Sequence, residues 1–409
     1  MLRILLFICA SIFFMSGCSD TTNNIVYTSG KSSIDTNAMY FIEGYDSIKY
    51  MNFETGDVDF FCYDPLCTHD LGECPARIRN GAEMIFSLSC IRENCIWYVR
   101  KAADLSHEEP IIKYQIVEYD ATSRKTSVIV DGATDLITQF VVRGDVIYYF
   151  MNGYGENGNW IRNIYQYSLN NRKSICLTEN IEEDVLFLGY DGEDVLLQAL
   201  ELGLIYKTDW SFSNWEILKR FEKSHTNSFT HDGYLYYYIN EDLPVKKEWT
   251  RIVDGNTMKT DEKFYYNFCP NNLVRIPLSL PDAEPEYVMY NVISTSNIKI
   301  YDNQLICIEY APQYFRSSII SDDEDPKQFH DLFTQGGSVY SVDLQTLESK
   351  MIVPFNGFDT YSVYYWDNNK IVFKGRYLEL ENTDVVDNNR FVVYQYDFNN
   401  TVYSILSEG

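Results

Sequence analysis

Three cysteines and a histidine, Cys62, Cys67, His69 and Cys74, fall within thirteen residues. Thiolate and imidazole are soft and borderline metal ligands, and three of one with one of the other make the four-donor set that closes a tetrahedral zinc site with no position open. The spacing, with four, one and four residues between successive donors, is not that of a standard finger or knuckle. An exported chain tends instead to pair its cysteines. Three states therefore stand open for the cluster: disulfides, a structural zinc, or free buried thiols. The compartment favours the first and the local ligand count the second; in each, the stretch staples a loop and is not an active site. Cys90 and Cys95 flank a predicted hairpin and are candidates for a disulfide across it. Cys176 and Cys307 lie in strand-like runs and read as small buried apolar residues.

Other chemistry is sparse. The chain has no Gly-x-Ser-x-Gly elbow, His-Glu-x-x-His pair, phosphate-binding glycine loop or dinucleotide fingerprint. Its five histidines, His69, His107, His225, His231 and His330, are too scattered to suggest a triad. Two long connections, 240–272 and 310–337, gather aromatic and charged residues, with Trp249, Tyr265, Tyr266, Tyr314 and Arg316 as candidate ligand contacts. Rings beside carboxylates suit sugar or peptide recognition, because a ring stacks on an apolar face while a carboxylate accepts hydrogen bonds. The reading is a binding or scaffold module for a glycan, peptide or protein, with enzymatic activity left open. The alternative is a polysaccharide hydrolase or lyase working through a carboxylate pair drawn from the 59 acidic residues.

The elements that must position these residues repeat along the chain. A turn followed by an aromatic and β-branched run recurs seven times, at Asn37–Ile42, Asn94–Val99, Gly144–Phe150, Gly192–Leu197, Gly233–Ile239, Asn303–Glu309 and Asn368–Phe373. Each is followed by an alternating apolar strand that ends in a polar turn, such as Ile116–Ser123, Leu204–Asp209 or Val339–Thr346, and then by one more short strand. Alternation with period two between Gly, Asn and Asp turns is the signature of antiparallel strands. With one preceding strand per unit, each repeat supplies four strands, the blade of a β-propeller. The expectation is an all-β propeller of four-stranded antiparallel blades, seven in number, with six and eight as the alternatives. The weakest blade is Asp194–Leu218, and Ile25–Ser29 is free to close the ring as an extra strand on the last one.

The first residues give an address. Ile4–Met15 is an apolar run of signal-peptide length, too short to span a membrane, and it ends in Met15, Ser16, Gly17 and Cys18. This resembles the lipobox of bacterial lipoproteins, with Met15 where Leu is usual. The resemblance implies a signal peptide over 1–17, a lipidated Cys18 with a polar tether over 18–24, and a single propeller domain over 25–409. It places the protein, lipid-anchored, on the extracytoplasmic face of the cell membrane. The formal charge of -26 argues against nucleic acid, whose binding depends on neutralising phosphates. The repeats, together with the Cys62–Pro75 pattern C-x-D-P-x-C-x-H-x4-C-P, resemble TolB-like and DUF5050-like propeller lipoproteins of unknown function from gut Firmicutes. That resemblance covers essentially the whole mature chain and implies architecture more than activity.

Overall fold

The computed structural model describes the strands and most turns between residues 26 and 408; outside the described residues lie 1–25, 29–32, 35–37, 44–46, 71–73, 78–82, 105–110, 222–227, 241–244, 250–263, 293–297, 311–335, 355–357, 378–390 and scattered positions of one or two residues. The expected signal peptide, tether and Cys18 are among the latter, as are Tyr314, Arg316, His107, His225 and His330. No helix occurs among the described residues, and none is long and apolar enough to cross a membrane.

The fold is an all-β propeller built of four-stranded antiparallel blades, each pairing in chain order. Blade 1 comprises Ser33–Ile34, Ala38–Glu43, Ser47–Asn52 and Val58–Phe60, and blade 2 Glu83–Arg92, Cys95–Asp104, Ile111–Asp120 and Lys125–Ala133. Blade 3 comprises Leu136–Arg143, Val146–Tyr154, Trp160–Ser168 and Lys173–Ile181, and blade 4 Val185–Asp191, Asp194–Ala199, Leu204–Asp209 and Glu216–Arg220. Blade 5 follows with Ser228–His231, Tyr234–Asn240, Asn271–Pro277 and Glu286–Val292, and blade 6 with Lys299–Tyr301, Gln304–Tyr310, Gly336–Asp343 and Ser349–Val353. Phe358–Trp366, Lys370–Tyr377, Phe391–Asp397 and Val402–Glu408 make blade 7. Among the described residues these are the seven blades expected, the weakest one included. A single pairing of Val292 with Glu309 links blade 5 to blade 6.

Ile25–Ser29 behaves otherwise than expected. Its strand, Val26–Thr28, pairs antiparallel with the open edge of blade 3, Val26 facing Arg143 and Thr28 facing Val141, and not with the last blade. An exposed edge presents unpaired N–H and C=O groups to any strand in reach, and the apolar alternation of a three-residue strand does not specify which edge it meets.

The chain divides into two compact units, Met1–Leu235 with Pro277–Ala283, and Tyr236–Ile276 with Glu284–Gly409. In the first, packing follows from alternation. Ile147, Tyr149 and Met151 of the second strand of blade 3 join the cluster shared with blade 2 around Trp97, Val99 and Ile116. Tyr148 and Phe150, pointing the other way, join the cluster shared with blade 4 around Phe187, Leu197 and Trp210. A strand between two sheets is buried on both faces, so it reads as a continuous aromatic and aliphatic run. Gln139 clamps blades 3 and 4, its amide accepting from the Phe187 N–H at 2.8 Å and donating to the Phe187 carbonyl at 3.1 Å. In the second unit Ile306, Ile308 and Val339 of blade 6 pack with Val363, Phe373 and Tyr394 of blade 7.

The turns explain the sequence punctuation. Between the first two strands of blade 5, Asp232 and Gly233 both take positive φ, 47° and 74°, as a tight hairpin that follows strand twist requires. At the end of the third strand an aspartate closes the turn: the Asp343 carboxylate accepts from the N–H groups of Gln345 at 2.8 Å and Thr346 at 3.0 Å. Asp397 does the same with Asn399 and Asn400, and Asp120 with Thr122 and Ser123.

Candidate metal centre

The cysteine stretch leaves blade 1 and returns to it. Beyond the fourth strand, the Phe61 N–H donates to the Ile48 carbonyl at 2.9 Å and the Cys62 N–H to that of Phe60 at 2.7 Å, which turns the chain. Asp64 then folds it back: its carboxylate accepts from the Leu66 N–H at 3.0 Å and its carbonyl from the Cys67 N–H at 3.1 Å, an Asx turn. His69 sits at φ 57°, in the left-handed region, and the Cys74 N–H reaches the Asp70 carbonyl at 3.2 Å. Finally the Ile48 N–H donates to the Ala76 carbonyl at 2.8 Å, and Ser47 bridges Arg77. The loop is thus tied at both ends to the third strand of blade 1.

This path brings together all four residues singled out in the sequence. One ligand atom from each of Cys62, Cys67, His69 and Cys74 lies within 4.8 Å of every other, and the four can hold a metal ion. His69 Nδ1 is 3.5 Å from Cys74 Sγ. With Zn–S about 2.3 Å and Zn–N about 2.0–2.1 Å, a tetrahedral site has S···N edges of about 3.6 Å and S···S edges of about 3.8 Å. The quartet therefore stands within about an ångström of the closed shell. Cys62, Cys67 and Cys74 are free thiols, with no disulfide among them.

The surroundings orient the donors. His69 stacks on Phe60 with ring centroids 4.7 Å apart, and its other nitrogen, Nε2, lies 3.8 Å from the Asp59 carboxylate. A carboxylate behind the distal nitrogen is what sets the tautomer and ring orientation of a metal-bound imidazole. Arg77 lies over the Phe60 ring at 5.6 Å and donates to the His69 carbonyl at 3.4 Å. Below, Cys74 packs with Ile48, Phe61, Tyr98 and Tyr119 in the core shared by blades 1 and 2, and the Tyr119 hydroxyl donates to the Phe61 carbonyl at 2.7 Å. Burial pushes the Cys74 thiol up to about 12; a backbone bond at Ala76 offsets part of that, and the Cys67 and Cys62 thiols add to it. A bound cation reverses this preference, because it deprotonates a coordinating thiol outright.

The remaining candidates divide. Cys95 is a free thiol; the hairpin sets it across from Arg92 and sets Cys90 across from Trp97, a diagonal and not a facing pair. Cys307 is fully buried, as expected of an apolar cysteine, whereas Cys176 is only half-buried and its Sγ lies 3.5 Å from the Thr178 carbonyl. Trp249, Tyr265 and Tyr266 lie on a two-stranded hairpin, Val245–Trp249 against Phe264–Phe268, with Trp249 across from Phe264 and Tyr265 from Glu248; their side chains are outside the described residues. Sequence reasoning missed an exposed aromatic pair where the second and third strands of blade 3 meet. Tyr154 and Trp160 are 69% and 42% exposed, edge to face with centroids 5.0 Å apart.

No family model and no curated protein matches the chain in sequence. Solved structures do resemble it. A prolyl endopeptidase aligns over 93% of this chain and 49% of its own length, with 9% identity and a TM-score of 0.51. TolB from Acinetobacter baumannii aligns over 94% of this chain and 63% of its own length at 12% identity and TM-score 0.32, and an oligogalacturonate lyase from Vibrio parahaemolyticus over 94% and 91% at 8% identity and TM-score 0.42. The likeness is one of fold. The chain spans about half the length of the prolyl endopeptidase.

Proposed function

We propose that the chain is a lipid-anchored extracytoplasmic propeller that serves as a binding or scaffold module for a glycan, peptide or protein partner, with Cys62, Cys67, His69 and Cys74 holding a structural zinc. The observation that carries this reading is the closed donor set. Four protein ligands within 4.8 Å of one another leave no coordination position for water or substrate, so the metal's work is to fasten a loop. The exposed pair of Tyr154 and Trp160 supports the binding part, since solvent-facing rings offer a stacking platform. The lipobox resemblance at Cys18 supports the anchor, and the TolB-like repeat pattern supports kinship with propeller lipoproteins.

Two measurements test it. Native mass spectrometry of protein purified without chelator should show one zinc, and Cys67→Ser should lose it; a metal-free protein with an even loss of thiols would replace the zinc by disulfides. Incubation with envelope polysaccharides should give retention without new reducing ends. Release of reducing ends would sink the binding reading in favour of a hydrolase.

A further inference from the structure

Within the first unit, the end of blade 3 and the last turn of blade 4 line an open, solvent-facing cavity of about 520 Å³, large enough to admit a small ligand. One wall is the stretch that leaves blade 3, with Asn180, Glu182 and Glu183; the other is Tyr206 and Trp215 of blade 4. Asn180 takes φ 57° and its N–H bonds the Asn163 side chain at 2.8 Å, at a bulge in the last strand of blade 3 just before the two glutamates of the lining. Trp215 donates its indole N–H to the Phe212 carbonyl at 2.9 Å, and the same carbonyl accepts from the Thr178 hydroxyl at 2.7 Å. The indole edge is therefore committed, and the ring is fixed before any ligand arrives. Tyr206 stands 5.5 Å from it with the planes inclined at 57°, so the two rings form a notch. Burial, and then the charge of Glu183, push the Tyr206 phenol up, keeping it a neutral donor. The lining holds two carboxylates and no lysine or arginine; Arg220, which acts on Tyr206 through its charge, is not part of it.

Fixed rings beside acceptors and an amide are the components of sugar recognition. A pyranose lays its apolar face on a ring while its hydroxyls bond carboxylate and amide groups. A lining with carboxylates and no cation repels a uronate and accepts a neutral or amine-bearing sugar. We infer that this cavity is a saccharide subsite selective for neutral or amino sugars over uronates, with Trp215 and Tyr206 as the stacking residues and Asn180, Glu182 and Glu183 as the hydrogen-bonding ones. The inference rests on the binding reading above and names its ligand class.

The test is isothermal titration of the intact protein with three pentasaccharides: a β-glucan, a glucosamine oligomer and a galacturonan. Expected is binding of the first, the second or both, with galacturonan at least tenfold weaker. Trp215→Ala should weaken binding at least tenfold, Trp215→Phe should largely restore it, and Glu183→Gln should reduce any advantage of the amino sugar. Equal binding of galacturonan, or binding of none of the three, would overturn the assignment. Undiminished binding by a folded Trp215→Ala variant would overturn this cavity alone, leaving the binding reading with Tyr154 and Trp160 as its next site.

Discussion

At the scale of single residues, what holds the cysteine loop in register is a hydroxyl that the chain supplies from the next blade. Tyr119 is fully buried, and its hydroxyl bonds the Phe61 carbonyl one residue before Cys62. Tyr119→Phe keeps the ring's edge-to-face contact with Phe61 and removes only the donated bond. Loss of one such hydrogen bond costs about 0.5–1.5 kcal/mol. Urea unfolding should show that destabilisation, and zinc affinity should fall with it because Cys62 loses its fixed neighbour; an unchanged affinity would mean that the loop is positioned by its Asx turn alone. The four ligands were legible in the sequence because they crowd into thirteen residues. Asp59, Phe60 and Arg77, which orient the histidine, were not, since nothing about an exposed aspartate or a strand-end phenylalanine marks it before the loop's path is known. The sugar cavity was invisible for a related reason. Its Asn180, Tyr206 and Trp215 belong to two blades, and each is an ordinary residue in its own strand or turn; a positive-φ asparagine at a strand end was the nearest thing to a signal.

At the scale of elements, turn chemistry was the part most readable from sequence. The second strand of every blade was expected because a glycine or asparagine turn feeds a run of aromatic and β-branched residues, and Asp194–Ala199, the weakest case, forms like the others. The aspartates that end the third strands carry a consequence for acid stability. Asp120, Asp209, Asp343 and Asp397 are all held below the ordinary carboxylate range, by side-chain and backbone bonds from Ser123 and Ser211 in the first two and by backbone N–H groups in the others. Depressed values in the folded state mean that the stabilisation is complete above the unfolded value of about 4 and is lost as pH falls through the lower folded values. The melting temperature should hold steady from pH 7 to about 5 and drop below about 4. Replacing all four by asparagine, which keeps an acceptor oxygen but does not titrate, should flatten that drop. A drop of unchanged steepness would assign acid lability to other carboxylates.

At the scale of the molecule, a blade repeat behaves as a chain of locally stabilised units, in which a tie acts on its own neighbourhood first. The cysteine loop ties the third strand of blade 1 to itself, and among the described residues its core reaches Ile96, Tyr98, Val117 and Tyr119 of blade 2. Blades 3 and 4 are held by a separate cluster, with Gln139 spanning them. With zinc in the quartet as proposed, removing it should therefore loosen the first unit unevenly. Hydrogen exchange in the presence of a chelator should speed up at the amides of Ile48, Phe61 and Cys62, whose partners are the loop's own carbonyls and strand, and less at Tyr98 and Val117. Protection of Phe187 and Leu197 in blade 4 should stay as it was. If chelation instead lowered protection evenly through blades 1 to 4, the first unit would be one cooperative block and the zinc a keystone of the whole unit. If protection changed nowhere, the thiols would be holding the loop without metal, and the donor geometry would have to be explained by packing around Cys74.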